Sequence, residues 1–302
     1  MDLISGFIDY MQSIRSVSPQ TVKAYRHDLK QFALFCEDAG VMPENAEFHM
    51  VERFIADLSF SGLAAVSVNR ALSTLRGFFG WLIRFGRRKD DPCALIKNLK
   101  TPKKLPVFLW EDEMADFAKT PENFGLLWEK RDSALILLLY SSGMRISEAM
   151  SLTLSSLKTD YSGARIIGKG AKERVVFFSD ECRAALCAYL PEREALLKET
   201  GGKSPVKTVL EKRLFLNKRG AALSPAGARW IISRYSSFSS VKKNVHPHAL
   251  RHTFATNLLK NGCDIRLVQE LLGHANISTT ARYTHLNIEG LKETYRKAHP
   301  HA

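Results

Sequence analysis

From Lys97 to Pro106 the chain reads Lys-Asn-Leu-Lys-Thr-Pro-Lys-Lys-Leu-Pro, two prolines and four lysines in ten residues. Proline lacks the backbone donor that a helix interior or a central strand needs, so this run belongs to no core element. It interrupts a helical pattern that holds on both sides of it. The break predicts two domains, 1–96 and 107–302, joined by an extended linker at 97–106. The lysines of that linker suit a phosphate backbone as well as they suit solvent.

Within the first domain, Ile4, Phe7, Ile8 and Met11 recur at the spacing of one apolar helix face. Ser18-Pro19 reads as an N-cap followed by proline at the first helical position. The helix it opens carries Val22, Tyr25, Leu29, Phe32 and Phe35 and ends near Gly40. A third helix spans Val51–Leu58, and a fourth, Ser67–Phe85, turns Leu72, Leu75, Phe78, Phe79 and Leu82 inward. Four helices on short loops predict an antiparallel bundle. After Glu111 the pattern is again helical, with helices near 180–198 and 224–236 and a long loop around 199–213. The exception is Ala164–Gly168 and Glu173–Phe178, two strands around a glycine-containing turn. The predicted class is mainly α: a four-helix N-terminal domain, then a larger, mostly helical domain with a small antiparallel β-sheet.

Charge narrows the partners. Lys and Arg number 44 against 31 Asp and Glu, a net +13. Residues 1–106 hold 15 basic and 11 acidic groups (+4), and residues 107–302 hold 29 and 20 (+9). Both halves are basic, as suits a chain that grips a polyanion from two sides, though charge alone is equally compatible with solubility. Five cysteines, Cys36, Cys93, Cys182, Cys187 and Cys263, show neither zinc spacing nor an even disulfide count. They read as reduced, mostly buried thiols of a cytosolic protein. The N-terminus has acidic residues at Asp2 and Asp9 and no basic stretch before an apolar run, so no signal peptide is expected. The longest apolar stretch, Ala134–Tyr140, is too short to cross a bilayer.

The chemistry gathers in three clusters of the second domain, with a lysine between them. Arg145 stands in SSGMRISE at a turn between two helices. His248, Arg251 and His252, in HPHALRHTFAT, fall at i, i+3 and i+4 on one face of a helix and in its first turn, where free N–H groups favour an anion. His274 follows Gly273, which reads as the residue that ends the helix Ile265–Leu272. Nine residues on, Tyr283 sits in a short helix capped by Ser278-Thr279-Thr280. Lys169 lies at the tip of the hairpin. Two arginines hold the oxygens of one phosphate, two histidines add donors as charge builds, and a tyrosine hydroxyl and a lysine serve as nucleophile and proton donor. Singly each residue has a plainer reading: a packing tyrosine, an ion-pair arginine, a solvated hairpin lysine, a His248/His252 metal pair. Together, with no carboxylate pair to hold Mg²⁺, they suit metal-free transesterification at a phosphodiester.

Their order, Arg145, Lys169, His248-x-x-Arg251, His274, Tyr283, resembles the tyrosine recombinase (phage integrase) family. The words SGMRISE, IGKGAKER, HPHALRHTFAT and LLGHANISTTARYTH carry the likeness. The N-terminal runs SPQTVKAYRHDLKQF and ALSTLRGFFGWLIRFG are similar to the core-binding domain of its Xer branch. The resemblance implies that Arg145 and Arg251 bind the scissile phosphate and Tyr283 attacks it to form a 3′-phosphotyrosine. It makes Lys169 the general acid, His248 a helper in proton transfer and His274 a phosphate donor. It implies no cofactor, metal or ATP. The implied partners are a double-stranded DNA recombination site gripped by a two-domain clamp, a tetrameric synapse with a paralogous Xer subunit, and a DNA translocase. The final helix, Ile288–Ala298, would dock Ile288, Leu291 and Tyr295 into a neighbouring subunit. The expected setting is cytoplasmic and nucleoid-associated, with no membrane partner, and the expected role is chromosome dimer resolution at cell division. A mobile-element integrase is the nearest alternative, and a non-catalytic DNA-binding regulator is the alternative from another class. Phe177-Phe178, where many relatives have Val-Pro, leaves room for a longer second hairpin strand.

Overall fold

The computed structural model describes residues 2–102, 106–125, 128–167, 173–200, 212–273 and 288–300. The chain forms two compact units, Met1–Lys104 and Leu105–Ala302.

The first unit contains α1 (Leu3–Ser13), α2 (Pro19–Asp38), α3 (Phe48–Phe60) and α4 (Ala65–Arg84). The first two begin at a side-chain cap. Asp2 accepts the Ile4 N–H at 3.1 Å, and Ser18 accepts that of Thr21 at 3.2 Å with Pro19 following. The faces predicted to be apolar meet in one core: Phe7, Leu29, Phe32, Phe54, Leu75, Phe78 and Phe79 are almost wholly buried. A carboxylate lies among them. Asp28 is 1% exposed, and its carboxylate accepts from Arg70 Nη1 at 2.7 and 2.6 Å and from the Thr74 hydroxyl at 2.8 Å. A buried carboxylate is tolerated when its oxygens are matched by donors in this way. The first residues of the predicted linker are held rather than merely solvated. Asn69 of α4 trades two hydrogen bonds with the Leu99 backbone, at 2.9 and 2.8 Å, and Arg76 reaches Asn98 at 2.9 Å.

The second unit contains α5 (Glu111–Phe124), α6 (Glu129–Ser142), α7 (Ile146–Ser151), β1 (Gly163–Ile167), β2 (Glu173–Phe177), α8 (Asp180–Glu199), α9 (Pro225–Phe238), α10 (Pro247–Lys260), α11 (Ile265–Leu272) and α12 (Ile288–Ala298). The apolar run Ala134–Tyr140 lies in α6, around which α5, α8 and α10 pack, so α6 is buried on nearly every side. No helix among the described residues is long and apolar enough to cross a membrane. Strands β1 and β2 pair antiparallel, from Gly163 opposite Phe177 to Ile167 opposite Glu173. The second strand stops at Phe177, although the Phe178 N–H still bonds the Ser162 carbonyl at 3.0 Å before Ser179 caps α8. Of the cysteines, Cys36, Cys93, Cys182 and Cys263 are buried and Cys187 is exposed, all as free thiols.

Helix α12 seats one of its three expected docking residues within this chain. Tyr295, 2% exposed, packs on this chain's own Phe177, Phe254 and His299, with ring centres 5.6, 6.5 and 5.0 Å away. Asn261 also donates to the Ala298 carbonyl at 2.8 Å. The reason is the apolar seat that β2, α10 and α11 present within the same unit. The side chains of Ile288 and Leu291 lie outside the described residues.

Candidate active site

Arg145 owes its place to a sharp stop. Helix α6 ends at Gly143, whose φ of +59° is favourable only for glycine, and any Cβ there would fall 2.3 Å from the Phe254 ring. Two residues later Arg145 is the N-cap of α7. Its backbone N–H donates to Glu148 Oε2 at 2.8 Å, and its Nη1 donates to Glu148 Oε1 at 3.0 Å. Glu148, buried to 7% exposure, receives a second guanidinium from β2: Arg174 Nη1 reaches Oε1 at 3.1 Å and Nη2 reaches Oε2 at 3.0 Å. Burial pushes the Glu148 carboxyl up. The hydrogen bonds from Arg174 and the Arg145 backbone, together with the nearby positive charge, outweigh it and hold the group below the usual range.

Helix α10 supplies the next two residues. His246 caps it, its Nδ1 accepting the Ala249 N–H at 3.1 Å, and Pro247 opens it. His248 therefore lies in the first turn and is exposed, whereas Arg251 and His252 lie in the second turn, one step further along than their spacing suggested. Arg251 is anchored by two carbonyls at helix C-termini: Nη1 donates to Gly143 at 2.7 Å and Nη2 to Leu272 at 2.8 Å. Cations belong at that end of a helix dipole, and these two bonds leave three of the five guanidinium N–H groups for other acceptors. Burial, reinforced by the charges of Arg145 and Arg174 and opposed by Glu148, lowers the Arg251 pKa to about 10. Burial and the neighbouring His248 lower that of His246. His252, by contrast, sets its ring edge-on to Phe108 at 6.3 Å.

Helix α11 ends at Gly273, with φ +67°, as its spacing predicted. A Cβ on Gly273 would sit 2.6 Å from Arg174 Nη1. The turn that leads into His274 thus lies against the same guanidinium that holds Glu148. Lys169, His274 and Tyr283 are outside the described residues. Their described flanks are the two hairpin strands, Gly273 and the start of α12.

The structure thus brings Arg145 and Arg251 to one locus, with His248 one turn ahead of Arg251 on α10. It adds two residues that motif reading passed over, Glu148 and Arg174. Both left a trace. Glu148 stands three residues after Arg145, the spacing of a reciprocal cap. Arg174 sits opposite Ile166, which is buried, so the charged residue occupies an inward-facing strand position.

Residues 108–289 match the model of the Phage integrase family, and residues 4–86 match that of the Phage integrase, N-terminal SAM-like domain. The chain is 39% identical to the tyrosine recombinase XerC of Treponema denticola, over 100% of this chain and 99% of that one. It is also 39% identical to XerC of Oceanobacillus iheyensis, over 99% and 96%. Among solved structures, the XerH site-specific recombinase bound to difH substrate in a pre-cleavage complex is similar with a TM-score of 0.65 and 27% identity, covering 96% of this chain and 83% of that one. The chain belongs to the phage integrase family of tyrosine recombinases, site-specific DNA-recombining enzymes, and within it to the Xer branch.

Proposed function

We propose that the chain cuts and rejoins DNA at a defined chromosomal site through a phosphotyrosine at Tyr283, and that its role is the resolution of chromosome dimers at cell division. The observation that carries the chemistry is a charge imbalance. Arg145 and Arg174 share a single carboxylate, Glu148, and Arg251 is near enough to feel the charges of all three, so three guanidiniums stand against one carboxylate with a surplus of two positive charges. A phosphodiester carries one negative charge, and its five-coordinate transition state carries two. Fixed cations matched to the second state and not to the first lower the barrier.

In this reading Arg145 and Arg251 hold the two non-bridging oxygens. The Tyr283 hydroxyl attacks phosphorus, its proton passing by way of His248, as the P–O bond to the 5′-oxygen breaks. Lys169 gives that oxygen a proton, and His274 donates a hydrogen bond to the phosphate. The ester to tyrosine keeps the energy of the broken bond, so a 5′-hydroxyl attacking in the reverse sense reseals the strand without ATP. Residues 1–96 form the core-binding half of a clamp on the duplex, 97–106 its linker, and 107–302 the catalytic half. The working assembly is a tetramer on two duplexes, with a paralogous subunit and a DNA translocase as partners, in the cytoplasm at the nucleoid. Likeness to XerC relatives over the full chain supports this role.

Covalent trapping tests it. The protein is incubated with a nicked duplex carrying the genomic segment it footprints, and the products are run on a denaturing gel. A slow-migrating adduct that disappears in Tyr283→Phe is the expected result. An adduct that survives that substitution, or none on a duplex the protein binds together with its paralogue, would remove the proposal.

A further inference from the structure

Arg174 takes no part in the steps above, yet it touches three of the sequence motifs. It stands five residues after Lys169 and one strand pair from the hairpin turn, it grips Glu148 with both Nη atoms, and it lies against Gly273, the residue before His274. Its side chain is 13% exposed, and its Nε is buried with no hydrogen-bond partner among the described residues.

The stoichiometry at Glu148 shows what this arrangement does. A carboxylate beside a guanidinium prefers the two-pronged pair, with both oxygens against two N–H groups of one arginine. Here Arg174 holds that two-pronged face. Arg145 is left with one side-chain bond, through Nη1 to Oε1, and its side chain remains 36% exposed. Were Arg174 absent, only the Arg145 backbone N–H on Oε2 would hold Glu148 against rotating to take the Arg145 side chain in the two-pronged mode. A guanidinium so captured loses the donors that a phosphate needs, and its charge is neutralised by a partner it need not share.

We propose that Arg174 is a positioning residue for strand cleavage. By occupying the bidentate face of Glu148, it limits Arg145 to a single bond with that carboxylate and keeps the remaining Arg145 donors free for the scissile phosphate. This rests on Arg145 as a phosphate-binding group. If that reading fails, Arg145→Ala cuts DNA normally. If only the present inference fails, Arg145→Ala is inactive while the Arg174 variants cut normally.

The test measures single-turnover adduct formation on the nicked duplex, beside equilibrium binding of the same duplex. Arg174→Ala is expected to slow the adduct roughly 10²-fold while binding stays within about threefold. Arg174→Lys keeps the charge but makes no two-pronged pair, so it stays slow. The double variant Glu148→Ala/Arg174→Ala is no slower than the slower single variant, because the two residues act on one group. A duplex with a bridging sulfur at the 5′ position, whose thiolate leaves without a proton, does not rescue Arg174→Ala. Full activity in Arg174→Lys would reduce the role to charge alone. Rescue by sulfur would assign it to the proton donor on the hairpin, and multiplicative losses in the double variant would assign it to general folding. Each of these overturns the proposal. If Arg174→Ala melts below the assay temperature, Arg174→Lys, which retains the stem, carries the same decision.

Discussion

Both units bury a carboxylate against arginine, and they do so in different proportions. In the first, Asp28 meets Arg70 and a threonine hydroxyl, one negative charge against one positive. In the second, Glu148 meets Arg145 and Arg174, with Arg251 alongside, one negative charge against three positive. The balanced pair has nothing left to offer a ligand, and its value is to orient α2 against α4. The unbalanced group is costly to hold together in the absence of an anion and is completed by one. The stoichiometry of a buried ion cluster, more than its presence, separates a structural pair from a binding site.

The sharpest way to break this contrast is to remove a surplus charge from the second cluster. Arg251→Ala is expected to slow adduct formation by about 10³-fold, roughly 4 kcal/mol of transition-state stabilisation. Single-turnover gels report it, and a slowing below tenfold would mean that the surplus charge is idle. In the first unit the effect moves from rate to stability. Asp28→Ala strands Arg70 and the Thr74 hydroxyl and is expected to cost about 2 kcal/mol in denaturant melts, less than a fully buried pair because Arg70 is 42% exposed. Its cleavage rate below the melting range should match that of the wild type.

Two smaller effects sharpen the comparison through pH. The Glu148 carboxyl is depressed in the folded state. Its ion pairing therefore contributes stability above the ordinary glutamate pKa, and this is lost as pH falls through the folded value. Glu148→Gln should flatten that acid limb of the melting curve and slow cleavage as well, whereas changing Asp28 should leave the cleavage rate alone. His246 caps α10 as a neutral acceptor, and its pKa is lowered. Its contribution is present above the usual 6.5 and is lost as pH falls through the folded value, because a protonated Nδ1 has no lone pair for the Ala249 N–H. His246→Asn keeps a cap that does not titrate. It should remove the neutral-to-acid part of the slope, a change of about 1 kcal/mol or less in pH-dependent melts.

Much of the fold was legible because it follows from local rules. Ser18-Pro19 announced the start of α2, Gly273 announced the end of α11, and the alternation around Lys169 announced the hairpin. Periodicity put Leu72, Leu75, Phe78 and Phe79 on the inner side of α4, where they are found. Of the candidate site, Arg145, His248 and Arg251 were legible from motif order, and the structure sets Arg251 near Arg145 with His248 one turn ahead of it on α10. Glu148 and Arg174 were not singled out, because an i, i+3 glutamate is usually a cap and a strand arginine is usually solvated. Nothing in the sequence measures the distance between them. The seating of Tyr295 was not legible for a related reason: an amphipathic face states that it needs a cover and does not state which surface supplies it.

What the sequence by itself determined were the quantities that depend on neighbours along the chain: helix starts and stops, the hairpin, the linker, the charge of each half, and the order of the reactive residues. What only the tertiary structure decided were the quantities that depend on residues far apart in sequence. These are the seating of Tyr295 against Phe177 and Phe254, the anchoring of Arg251 on the carbonyls of Gly143 and Leu272, and the sharing of one carboxylate between Arg145 and Arg174. The physical reason is the range of the forces involved. Backbone propensity and capping act within a turn, while an ion pair needs its charged atoms within about 3 Å, and only chain packing brings Arg174 to that separation from Glu148.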